Sequence, residues 1–152
     1  MMSDNLVGLR WWRIVGAAVM AFVGSMLVTI LIVTGYAFTL GVAARGAPDP
    51  KRISAFAHEV GPTWGPVLLA VFTALAALWV ARRVTEPVRH GVLVGAIAAT
   101  AGLLPAWPPD LRDAAIFGAV VGAGWVGGFV GRRAKSLVSG SSAGSVSGRE
   151  HR

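Results

Sequence analysis

The sequence predicts an all-α integral membrane protein, an antiparallel bundle of four transmembrane helices packed through Gly and Ala. Three observations lead there. First, 55% of the 152 residues are hydrophobic and 14% are charged, whereas soluble domains carry about 25% charged residues. Second, apolar runs at about 14–44, 63–81, 91–107 and 114–131 lie near or above the roughly 20 residues that cross a bilayer. Third, the run Ala114-Ala-Ile-Phe-Gly-Ala-Val-Val-Gly-Ala-Gly-Trp-Val-Gly-Gly-Phe-Val-Gly131 holds glycines at 118, 122, 124, 127, 128 and 131 and no charge. In a water-soluble helix each glycine costs roughly 1 kcal/mol against alanine. In a membrane, small residues let helix backbones approach closely.

The first thirteen residues form a cytoplasmic N-terminal segment in which Arg10 and Arg13 flank Trp11 and Trp12. Indoles and guanidinium groups suit the headgroup layer, and the apolar run that follows makes a nucleic-acid role for them a poor fit. Residues 14–44 are uncharged throughout. A signal peptide has an apolar core of only about 7–15 residues, so this segment reads as a retained span, long enough that it must tilt, bend or project. Ala17, Ala21, Gly24 and Gly35 mark its packing side.

Residues 45–62 form the longest polar connection. Asp49 before Pro50 is a helix-start signal, an N-cap followed by a first-turn proline. Ile53, Phe56, Ala57 and Val60 then keep helical spacing, which predicts a short helix lying on the membrane surface. The second span, 63–81, has Pro66 in its first turn and Trp64 and Trp79 near its ends. A short basic turn, Arg82 to His90, leads to the third span. There Gly91, Gly95, Ala98 and Gly102 share one face, and Pro105, Pro108 and Pro109 end the run.

The fourth span has two small faces. At about 100° per residue, Gly118 and Gly122 fall together, while Gly124, Gly127, Gly128 and Gly131 gather on nearly the opposite side. The pairs 118/122, 124/128 and 127/131 each have GxxxG spacing, and helix contact within the chain is the first expectation for them, with self-association as the alternative. Arg132, Arg133 and Lys135 follow. Residues 136–152, rich in Ser and Gly, are expected to be disordered.

Ten Lys and Arg residues fall in the N-terminal segment, the 82–90 turn and the C-terminal tail, against four in the other two connections. By the positive-inside rule both termini are expected in the cytoplasm. Arg10, Arg13, Arg82, Arg83, Arg89, Arg132, Arg133 and Lys135 would then form a basic rim on anionic lipid headgroups.

These spans contain no Asp, Glu, Lys, Arg or His, the residue types that mark ion paths and proton relays. In size and span number the chain resembles the small four-span multidrug exporters. That resemblance would imply a membrane-embedded glutamate, and no position in the spans supplies one. Without cysteine there is no thiolate chemistry, and Ser25, Thr29, Thr73 and Thr100 have no base in their spans. His58, His90 and His151 do not converge as metal ligands must. No catalytic, cofactor-binding or metal-binding residue is expected. The expectation is a non-enzymatic accessory or scaffolding protein of the cytoplasmic membrane, with the bilayer and a second copy or another membrane protein as partners and no nucleic acid. The alternative is an oligomeric uncharged pore or small carrier.

Overall fold

The computed structural model describes residues 11–104 and 108–143, with the side chains of the last helix followed as far as residue 134. Four helices succeed one another: α1 (Trp11–Ala44), α2 (Pro50–Ala81), α3 (Pro87–Leu103) and α4 (Leu111–Ala143). Among the described residues there is no strand. α2 touches the other three helices, α3 packs most extensively on α4, and α1 lies against α2 and α3. The buried core runs through Ile14 and Ala18 of α1, Leu69 and Val80 of α2, Val94, Ala98 and Ala99 of α3 and Val120 of α4.

Three helices, α1, α2 and α4 over Leu111–Ala134, are long and apolar enough to cross a membrane. α3 has 17 residues and spans about 25 Å, against a hydrocarbon thickness of about 30 Å. The outward surface is what a lipid solvent requires: Met20 is 74% exposed, Phe38 73% and Leu31 68%. Contiguous apolar exposure on that scale marks a membrane or partner surface rather than a water-facing one.

The helix ends follow local chemistry. α1 closes with the Gly46 amide donating to the Gly41 carbonyl and the Arg45 amide to the Val42 carbonyl, a Schellman arrangement in which Arg45 holds the left-handed conformation at φ 50°. Asp49 caps α2 by accepting from the Lys51 amide at 2.9 Å, with Pro50 at the first helical position. Asp110 and Asp113 cap α4 reciprocally. The Asp113 amide donates to Asp110 Oδ1 at 2.8 Å and the Asp110 amide to Asp113 Oδ2 at 3.1 Å.

The structure corrects the sequence reading in three places. No separate surface helix exists at 50–60, because α2 runs unbroken from Pro50. The periodic face Ile53, Phe56, Ala57 and Val60 turns towards α1, where Phe56 stacks on Tyr36 with centroids 3.9 Å apart. Surface helix and hairpin extension share the same 3.6-residue period, so spacing does not separate them. α2 also absorbs Pro62 and Pro66 in its interior. Proline lacks the amide that would bond to the carbonyl four residues earlier, so Pro66 leaves the Pro62 carbonyl without its helical partner. Arg112 of α4 supplies the missing donor, its Nη2 lying 2.9 Å from that oxygen.

The second correction concerns α3, which begins at Pro87 and takes His90 into its first turn, four residues after Glu86. Pro87 occupies the first turn of α3 as Pro50 does that of α2, but the Glu86 side chain makes no capping hydrogen bond, unlike that of Asp49. The third concerns α4, which continues as helix over 136–143, eight positions into the expected tail. Adding a residue to an existing helix is far easier than nucleating one, and no proline interrupts this stretch. The remainder of that tail lies outside the described residues.

Candidate functional site

Glycine determines how closely α4 approaches its neighbours. Along its second half, a methyl group built on Gly124 would run into the Gly91 carbonyl oxygen, and one built on Gly91 into the Gly124 carbonyl oxygen. Each Cα hydrogen therefore points at the other chain segment's carbonyl. Such Cα–H···O contacts contribute about 0.5–1 kcal/mol each. One turn further, a methyl on Gly95 would fall 2.9 Å from Val121 Cα, and one on Gly128 would fall 2.7 Å from the Pro87 carbonyl oxygen. Gly127 meets the Ala74 carbonyl and Gly131 meets Ala81, both on α2. The two neighbours thus divide one glycine face: α3 takes 124 and 128, and α2 takes 127 and 131. Ala98 is fully buried, and Gly102 faces the flexible tip of Leu69 at 2.9 Å.

Gly118 and Gly122 are placed differently. Neither has an atom within 4 Å of the position its Cβ would take, and Ala115 and Ala119 beside them are exposed. Among the described residues, nothing from another helix reaches this second small face at Gly118 and Gly122.

Six arginines collect at one end of the bundle, while Arg45, Arg52 and Arg112 lie towards the other. Arg82, Arg83, Arg89, Arg132 and Arg133 are exposed and Arg13 is half-buried. Arg13 donates to the Arg83 carbonyl at 3.4 Å, Arg83 lies over the Trp79 ring and Arg133 over that of Phe129. Glu86 pairs with Arg89 at 3.3 Å. Arg10 and the side chain of Lys135 lie outside the described residues.

At the opposite end a cavity of about 440 Å³ opens among the helices, with Ser25 and Thr29 on one wall, Gly61 and Gly65 on another and Arg112 and Asp113 near α4's start. Its hydroxyls are engaged locally: Ser25 donates to the Phe22 carbonyl at 2.8 Å and Thr29 to the Ser25 carbonyl at 2.9 Å. Thr100 likewise donates to the Ala96 carbonyl. Among the described residues no three His, Cys, Asp or Glu side chains converge on a point.

His90 is the polar residue that sequence reasoning misplaced. It is 2% exposed, and its Nδ1 lies 2.8 Å from the Glu86 carbonyl oxygen. A carbonyl only accepts, so Nδ1 carries a proton. Among the described residues the buried Nε2 has no hydrogen-bond partner, and neither has the buried Thr73 Oγ1 on α2. The signal that places His90 inside the helix is Pro87, a first-turn proline three residues before it.

No protein-family model, curated protein or solved structure matches this chain.

Proposed function

We propose that the protein is a non-enzymatic scaffold of the cytoplasmic membrane that docks a second copy or another membrane protein on the open small-residue face of α4. The observation that supports this reading is the contrast within one helix. Gly124, Gly127, Gly128 and Gly131 are spent on contacts inside the chain, whereas Gly118 and Gly122 have open space. Small-residue faces promote helix association in lipid by allowing close van der Waals contact, and glycine offers no packing advantage where only lipid is met. In this reading all four helices cross the bilayer, α3 being carried by its flanking neighbours despite its length. Both termini and the arginine end face the cytoplasm, and the chain turns over the sequence excess of Lys and Arg on that side.

The cavity at the other end is the feature that favours a carrier. Its lining includes the buried residues Leu69 and Val120, and its hydroxyls are bonded to their own helices, which favours the scaffold over the carrier.

The natural absence of cysteine makes the test direct. A single cysteine at Ala119, labelled with a photoreactive benzophenone maleimide and irradiated in native membranes, is expected to give a crosslinked protein adduct whose mass identifies a second copy or a different protein. A cysteine at Val19, exposed on α1, is the control and is expected to give none. Equal crosslinking at both positions, or none at Ala119, would remove the scaffold reading.

A further inference from the structure

Along the arginine half of the molecule, α1 and α2 part to form a groove of about 730 Å³ lined by those two helices alone. On α1 it extends from Trp12 to Leu27, a length of about 22 Å at the helical rise of 1.5 Å per residue. A bilayer's hydrocarbon is about 30 Å thick, so the groove reaches from the interface through the whole of one leaflet. Its floor is low because Ala17, Ala21 and Ala76 line it. Gly16 leaves it open, with nothing within 4 Å of its Cβ position. At Gly24 the Phe72 ring packs onto the glycine, 2.8 Å from its Cβ position. The result is an apolar trough left open around Gly16.

Charge sits at the Trp12 end. Arg13 lines the groove beside Trp12 and Trp79, and it reaches the Arg83 carbonyl at 3.4 Å. The Arg83 guanidinium lies 5.3 Å from the centre of the Trp79 ring. The two ion pairs among the described residues, Arg52–Asp49 and Arg89–Glu86, involve neither arginine. Two guanidinium groups, one in the groove lining and one on the Trp79 ring, are therefore without an ion-pairing carboxylate among the described residues.

We propose that this groove seats one acyl chain of an anionic phospholipid, with the lipid phosphate held between Arg13 and Arg83. The guanidinium fork suits phosphate oxygens, and the indoles of Trp12 and Trp79 belong at the depth of the glycerol and headgroup. Charge decides between occupants. A second copy related by a two-fold axis along the membrane normal would bring a second Arg13 and Arg83 to the same place, whereas an anionic lipid neutralises the first pair. The proposal rests on the membrane reading and not on the scaffold role, because no residue of α4 lines the groove.

The test uses the full chain in neutral detergent, observed by native mass spectrometry while phosphatidylglycerol or phosphatidylcholine of identical acyl chains is added. Phosphatidylglycerol is expected to give a one-to-one adduct at about tenfold lower lipid concentration, the preference that one or two arginines at an anionic surface supply. Arg13→Gln should narrow the difference between the two lipids, and Arg13→Gln with Arg83→Gln should bring them to the same concentration. Gly16→Leu places a side chain in the open trough and is expected to remove the phosphatidylglycerol adduct while thermal unfolding of the lipid-free protein stays unchanged. Equal affinity of the parent chain for both lipids would overturn the proposal, and so would an adduct that survives Gly16→Leu. A protein dimer that forms through the groove and is displaced by neither lipid would overturn it in favour of a second copy. None of these outcomes alters crosslinking at Ala119, so failure here and failure of the scaffold reading are separable.

Discussion

The arginine end and the opposite end of this molecule use the same residue for opposite purposes. At the arginine end Gly91, Gly95, Gly124, Gly127, Gly128 and Gly131 each face another helix so closely that a methyl group would strike its atoms. At the opposite end Gly35, Gly61 and Gly65 face open space, although Gly102 meets the tip of Leu69. A cavity bounded by Gly61, Gly65 and Arg112 opens there. Glycine content therefore does not measure packing. What matters is whether a neighbouring backbone arrives at the position that the missing side chain vacates.

Gly16 sharpens the comparison because it lies at the arginine end and yet is open. It sits on α1, outside the seam that joins α4 to α2 and α3, and it borders the lateral groove. The tight end is thus tight around α4 specifically.

The largest effect is expected from bulk in the seam. Gly127→Leu would drive a side chain into the Ala74 carbonyl and Ala77 Cβ, backbone and short side chain that cannot swing aside. Overpacking costs about 1–3 kcal/mol and sometimes more, and this substitution is expected at or above the upper value. Denaturant titration of the detergent-solubilised protein, followed by circular dichroism, checks it; a loss below about 1 kcal/mol would mean that α2 and α4 have room to separate.

A smaller effect of opposite sign is expected at Thr73. Its hydroxyl is fully buried without a partner, and leaving a buried polar group unsatisfied costs about 1–3 kcal/mol. Thr73→Val keeps the branched shape and is expected to stabilise the fold by about 1 kcal/mol. A destabilised variant in the same titration would show that the hydroxyl has a partner, such as a buried water.

The smallest effect belongs to the open end. Arg112→Ala removes the donor that replaces the amide absent from Pro66, but the contact is exposed, and a loss of about 1 kcal/mol is expected. The readout is the unfolding midpoint of Arg112→Ala against that of Arg112→Lys, which can still reach the carbonyl. Equal losses for the two would detach Arg112 from the carbonyl's needs.

Much of the fold was legible because its causes are local. The apolar runs, the Asp49-Pro50 start and the absence of β patterning gave helices at nearly their observed places. The two faces of α4 were legible too, since angular position follows from residue number. Which face turns inward was not. In water the more apolar side goes in, but in lipid both surroundings are equally apolar, and Gly118/Gly122 carries the same spacing as Gly124/Gly128. The packing of Phe56 on Tyr36 was hidden for a related reason, since both lie on faces whose period fits a surface helix equally well. His90 lies in the first turn of α3, whose start is marked by Pro87 alone and by no capping side chain. The Arg112 bridge to Pro62 joins residues 50 positions apart, and no local pattern announces it.

The claim on which all of this depends is that one helix carries a face committed to its own chain and a face left free. The most direct measurement compares the unfolding free energies of Gly124→Leu and Gly122→Leu in the same dilute detergent. Gly124→Leu meets the Gly91 carbonyl and the Gly95 backbone and is expected to lose about 3 kcal/mol or more. Gly122→Leu meets nothing within 4 Å and is expected to stay within about 0.5 kcal/mol of the parent, as surface substitutions do. Equal losses in the two variants, or a larger loss at Gly122, would contradict the two-faced helix.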